Sequence, residues 1–503
     1  MMNISIDKNR QVLPLTNGQL SFWFIYHMTK ETANHFLPYE FEGPLRSDLL
    51  EKVLNTLLQD NEILRASVSD WCALQYVYPY EYFHLPYEDL SGLCEQGRTA
   101  SLGALFLKYS EPNFDLMKPP LLRACLIKLT PEKHLLMLVM PHFAMDGAAL
   151  HQMDIELRAL YQKALHGEPL RGGRKLGLAD YVTQEQAIRN SQSQQATQFW
   201  QQQLSQAKPT YLAPALLDIT NRARRGIFIP LSQTQLQDIG RWCSQNKLTQ
   251  QMVFLALLGK VMAKLSGNNR LCLTTVQENR DIDGARSLYG ALLTSLPVPL
   301  QISDSQSLLE LFLQVKKTTL AVYEYRHVPW SIPLSILARR KLSKQPWWLK
   351  VISKLSGAYH SISKQTGLYP QVLADFAAIA ASDIEEDKKT LRYGPHHQAL
   401  TMNVNMLPSF YEQGIDTTAA EQDTAQACRI TLRRQLDFPV PQDDSEWEQN
   451  VLNFYIEKHP LKGAGIRLSH QCLTEQAEQT IREELYTLLR QSSEVAQLVE
   501  HSA

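Results

Sequence analysis

The chain has 503 residues, enough for two domains of ordinary size or two halves of one larger unit, and its 44% hydrophobic and 20% charged residues exclude extensive disorder. A formal net charge of -1 supplies no whole-protein field to hold nucleic acid, so no nucleic-acid partner is expected. The seven cysteines are scattered, odd in number and without a C-x-x-C pair, which suits a reducing compartment and defines neither a disulfide framework nor a zinc site.

The first residues, M-M-N-I-S-I-D-K-N-R, lack the basic-then-apolar order of a secretion signal. No apolar run is long enough to span a bilayer. The expectation is a soluble, cytoplasmic protein, a monomer. In chain order, residues 45–58 carry Leu45, Leu49, Val53, Leu57 and Leu58 as a helical stripe. Residues 121–129 and 134–140 are short apolar runs around T-P-E-K, the pattern of a hairpin. A helix is predicted over 147–164, and the glycine- and base-rich stretch 167–173 reads as a boundary. A glutamine-rich helix follows over 179–204, then an apolar helix over 249–265, a buried strand over 271–276 and an amphipathic helix over 473–490. Strands and helices mixed throughout put the fold in the α/β or α+β class.

The segment with chemical content is P-H-F-A-M-D-G, 141–147, between an apolar strand and a helix. A strand anchors the backbone there, a turn lifts His142 into an open space, and Gly147 permits close approach or a positive φ. A neutral imidazole takes a proton from an amine or hydroxyl near neutral pH, and an acyl group arriving as a thioester needs no enzyme nucleophile. The motif alone leaves a second reading open, a strand-end histidine satisfied by its neighbours.

Further segments occur in a recognisable order: P-L-T-N-G-Q-L-S-F-W-F at 14–24, N-E-I-L-R at 61–65, F-D-L-M-K-P-P-L-L-R-A at 114–124, Q-E-N-R at 277–280, Y-G-A-L-L-T-S-L-P at 289–297 and H-V-P-W at 327–330. With H-x-x-x-D-G they resemble the condensation-domain family of nonribosomal peptide synthetases, within the superfamily of chloramphenicol, carnitine and plant BAHD acyltransferases. The resemblance implies two chloramphenicol-acetyltransferase-like lobes in a V, with a tunnel at their interface. The domain division expected is 1–175 for the lobe with the histidine loop and 176–495 for the second. It implies that His142 is catalytic. Asp146 then pairs with an arginine across the lobes, matched by Arg280, and such a carboxylate holds the loop rather than carrying protons. Thr294 and Asn403 are candidate tunnel residues, and no metal or bound cofactor is expected. The donor is an acyl group on phosphopantetheine, carried by an acyl or peptidyl carrier protein or by coenzyme A. The acceptor is a small amine or alcohol, giving an amide or ester in natural-product or lipid biosynthesis. A non-catalytic recruitment domain is the alternative.

Three positions depart from the family pattern. Pro141 replaces the first histidine of H-H-x-x-x-D-G, Thr294 an asparagine, and Ser21 an arginine. Asp437-Phe438-Pro439 matches only two residues of the BAHD signature, and heterocycle formation requires an aspartate in place of His142. With no carrier-protein or adenylation motif beside it, the unit is expected to stand alone and receive its donor in trans. His396 and His397 form a pair that reads as a solvent-facing loop rather than a metal site. Residues 326–370 contain no acidic residue and hold Trp347, Trp348, Lys350 and Lys354. That segment fits a lobe-surface helix, and alternatively contact with a membrane surface, an acidic carrier protein or coenzyme A phosphates through 339–364.

Overall fold

The computed structural model describes residues 10–70, 73–170, 176–207, 210–218, 225–327, 401–406, 428–432, 451–459 and 463–500. The His396–His397 pair, the basic segment 339–364, Asp437 to Pro439 and the V-P-W of the last motif lie outside them. The fold is mixed helix and sheet, and the chain divides into two compact units. Each is assembled from non-contiguous segments: 1–190, 278–293 and 413–441 in the first, 191–277, 294–412 and 442–503 in the second. This differs from the single cut near 175 expected from the sequence. The stretch carrying Arg280 joins the first unit because its hydrogen bonds run to residues of that unit.

The first unit is built on a five-stranded sheet ordered Arg429–Leu432, Asn34–Glu42, Lys133–Pro141, Arg123–Thr130, Tyr87–Asp89. The predicted hairpin is its centre: Arg123–Thr130 and Lys133–Pro141 pair antiparallel, with an irregularity between Lys128 and Thr130. Lys133–Pro141 is apolar on both faces because both are covered; Leu136, Leu138, Val139 and Met140 are fully buried. On its other side Asn34–Glu42 pairs antiparallel in a register that sets Asn34 opposite Pro141 and His35 opposite Met140. The helix predicted over 45–58 is Ser47–Asp60; Leu45 precedes it, and the buried face is Leu50, Val53, Leu54, Leu57 and Leu58. Each such side chain contributes about 1.5–3 kcal/mol on burial.

The second unit is built on a six-stranded sheet ordered Leu293–Gln301, Arg270–Glu278, Thr401–Met406, Val451–His459, Gly463–His470, Arg225–Pro230. The apolar helix Gln250–Ser266, capped by Thr249, is the centre of its core, with Phe254, Leu255, Leu257 and Leu258 buried. Trp242 meets Phe312 edge-on at 5.3 Å there. The C-terminal helix, Glu475–Glu500, runs a good deal further than the periodic stretch 473–490.

Candidate active site

Thr16-Asn17-Gly18-Gln19 opens the helix Asn17–Thr29 with a capping box: Thr16 Oγ1 accepts from Gln19 N, and Gln19 Oε1 from Thr16 N. Phe22 lies on this helix, and Ser21 is half-buried beside it. The helix ends at Lys30, and the chain crosses Thr32 and Ala33 into Asn34–Glu42. Asn113 Oδ1 accepts from Thr32 N at 3.1 Å, and Asn34 Oδ1 accepts from Thr32 Oγ1 at 2.7 Å. The F-D-L motif braces this corner: Arg123 lies 3.9 Å over the Phe114 ring and donates to Asn113 O.

The corner carries the histidine loop. His142 N donates to Thr32 O and Ala33 O at 3.1 and 3.2 Å, and Ala144 N turns back to Pro141 O at 2.9 Å. Rather than standing free in an open space, His142 is half-buried among rings. Phe22 stacks on it at 4.2 Å between centroids and 21° between planes, and His35 packs at 4.4 Å and 52°. Burial lowers the His142 pKa below the ordinary imidazole value; its own backbone carbonyl and the Asp146 carboxylate offset part of that. Nδ1 is buried and makes no hydrogen bond to another residue.

Asp146 is the N-cap of Gly147–Leu165 and is 1% exposed. Oδ1 accepts from Ala149 N at 2.9 Å and from Arg280 Nη2 at 2.6 Å, and Oδ2 accepts from Leu292 N at 2.9 Å. Arg280 Nη1 donates to Ala285 O and Leu288 O, and Nη2 also reaches Gly290 O. The pairing of Asp146 with Arg280 is as expected, and both partners belong to the first unit. Gly147 is simply the first residue of its helix; the described glycines with positive φ are elsewhere, Gly290 among them. Burial raises the pKa of neighbouring Glu278, with Asp146 adding to the rise and Arg280 opposing it.

The stretch 289–292 is clamped residue by residue. Tyr289 Oη donates to Glu156 at 2.7 Å, Ala291 O accepts from Thr16 Oγ1 at 2.9 Å, and Leu292 N serves Asp146. Gly18 packs so closely here that a Cβ would lie 2.3 Å from Ala291 O. N-E-I-L-R is likewise a brace: Glu62 Oε2 accepts from Leu178 N at the start of Leu178–Gln203, and Arg65 donates to Leu58 O. Thr294 and Asn403 belong to the second unit; Thr294 is buried on Leu293–Gln301, and Asn403 Nδ2 donates to Asn453 at 2.9 Å. Sequence reasoning missed Phe22 and His35. Phe22 had a local signal, the Thr16-x-x-Gln19 capping box that starts its helix. His35, a lone histidine in an apolar strand, had none.

The condensation-domain family model matches residues 9–347. A linear gramicidin synthase of Brevibacillus parabrevis is 25% identical over 351 residues, 67% of this chain and 4% of that protein's length. The bassianolide nonribosomal cyclodepsipeptide synthetase of Beauveria bassiana is 26% identical over 368 residues, 68% of this chain and 11% of its own. The chain thus spans a small part of the relatives it matches. Among solved structures, the X-domain from teicoplanin biosynthesis in complex with OxyB superposes with a TM-score of 0.65, at 15% identity over 97% of this chain and 94% of that one. The first condensation domain of the CDA synthetase gives 0.58 at 16% identity, over 97% and 96%. With its family model spanning the histidine loop and Arg280, this chain belongs to the condensation-domain family.

Proposed function

We propose that the chain transfers an acyl group from a pantetheine thioester, on a carrier protein or coenzyme A, to an amine or hydroxyl, with His142 as general base. The observation that carries this reading is the placement of His142 at the end of the strand Lys133–Pro141, in a loop held by Thr32 O, Ala33 O and the Asp146–Arg280 pair, where burial lowers the imidazole pKa. As the acceptor N–H or O–H attacks the thioester carbonyl, its proton passes to the His142 imidazole. The tetrahedral adduct then expels the thiolate, which takes the proton back as thiol and leaves the amide or ester. Asp146 and Arg280 hold the loop without touching the reacting atoms.

The test supplies acyl-N-acetylcysteamine thioesters and acyl-coenzyme A species with amine and alcohol acceptors, and follows thiol release and product mass. His142→Ala should lower turnover on the order of 10²–10⁴-fold with the fold intact; turnover equal to the unsubstituted protein's would end the reading. A second reading, a recruitment domain without turnover, draws on the likeness to an X-domain captured in complex with OxyB. His142-dependent thiol release separates the two.

A further inference from the structure

The family pattern has two adjacent histidines where this chain has Pro141-His142. A second imidazole nonetheless reaches the site from the strand alongside. Asn34 is the residue paired with Pro141, and His35 is the next one along. Its ring centroid lies 4.4 Å from that of His142. We propose that His35 is a positioning residue for His142: it packs on the imidazole, fixes the plane of the ring together with Phe22, and limits the two imidazoles to one proton between them. This role rests on His142 being the base of the proposed transfer.

Three observations carry it. First, the contacts on the His142 ring among the described residues are aromatic. Its Nδ1 and the Nε2 of His35 are both buried with no hydrogen-bond partner, so aromatic packing by Phe22 and His35 sets the ring plane. Second, the same segment holds ring and loop, because Thr32 O and Ala33 O accept from His142 N while His35 packs on the side chain. Third, the charges facing the pair are few among the described residues. The loop contributes Asp146, which is paired with Arg280, and the helix Asn17–Thr29 contributes the uncharged Phe22. The Met145 carbonyl is the further polar group against His35. Two imidazolium rings at this separation repel strongly, so the pair titrates as a unit. Burial and then the charge of His142 push His35 well below the ordinary imidazole value. A proton on His142 thus disfavours one on His35, the arrangement a base beside it requires.

The test uses the full chain labelled at histidine Cε1, titrated by NMR and assigned with His142→Gln and His35→Phe. His35 should titrate below His142, and its midpoint should rise in His142→Gln, which keeps the volume but removes the charge. In turnover of whichever thioester the unsubstituted protein uses, His35→Ala should lose on the order of 10-fold in kcat with KM little changed, as expected when a base is misplaced. His35→Phe, which keeps a ring on His142, should recover most of that loss. An unshifted His35 midpoint in His142→Gln, or a His35→Ala kcat equal to the unsubstituted protein's, overturns the proposal. Should His35→Ala fail to fold, His142→Gln and His35→Phe still decide it by titration. Turnover that survives His142→Ala sinks the acyl-transfer reading while leaving the mutual titration standing, whereas independent titration with His142→Ala inactive sinks the role of His35 alone.

Discussion

Replacing Asp146 with alanine removes three interactions at once from a side chain that is 1% exposed: the N-cap bond to Ala149, the ion pair with Arg280 and the bond from Leu292 N. Breaking a buried pair by deleting one partner costs about 3–5 kcal/mol. A lost N-cap costs about 1 kcal/mol. An orphaned buried N–H costs about 1–3 kcal/mol. These overlap, because Arg280 keeps bonds to Ala285 O and Leu288 O that soften its isolation, so about 4–6 kcal/mol is the reasoned total. For a unit of this size each kcal/mol moves Tm by about 2–4 °C, so Asp146→Ala should melt on the order of 10 °C or more lower. Asp146→Asn keeps an oxygen acceptor and should fall between. Thermal unfolding by circular dichroism measures both, beside His142→Ala, which breaks none of these three interactions and should fall much less. An Asp146→Ala protein melting within about 2 °C of it would refute the reasoning that this pair holds the loop.

The other predictions concern the frame around the site. Burial raises the Glu185 carboxyl from the ordinary 4.5 to about 7, against bonds from Asn17 N and Tyr181 Oη. Its contribution to folding is therefore full below the unfolded value and lost as pH rises through about 7, a change of about 3 kcal/mol. Urea unfolding across that window should show the decline in the unsubstituted protein and not in Glu185→Gln; parallel curves would contradict it. Gly18→Ala sets a Cβ 2.3 Å from Ala291 O, and the overpacking, about 3 kcal/mol, should outweigh the ~1 kcal/mol gained in helix propensity. A Gly18→Ala protein as stable as its parent would mean that 289–292 yields freely. Ala33 holds φ at +46° beside His142, so Ala33→Gly should melt no lower than its parent, the relieved strain of about 1 kcal/mol covering the added chain entropy.

Much of the local architecture was written in the sequence, because its causes act between near neighbours. Alternation and length marked the 123–141 hairpin, and Asp-Gly after an apolar strand marked the start of Gly147–Leu165. The motif also singled out His142, and the family pattern coupled Asp146 to Arg280, 134 residues away. Periodicity carried no information about that distance. What surrounds the imidazole was decided only by the tertiary structure. His35 meets His142 because the strand Asn34–Glu42 pairs in one register, and a slip of one residue would send its ring to the other face of the sheet. Nothing in N-H-F-L-P-Y-E signals that register, which follows from the sheet as a whole. The same holds for Tyr289, Ala291 and Leu292. They read as one apolar stretch, yet a carboxylate, a threonine hydroxyl and a glutamate each claim one of them in the fold. A buried polar group must find a partner, but which partner depends on segments hundreds of residues apart arriving at one place.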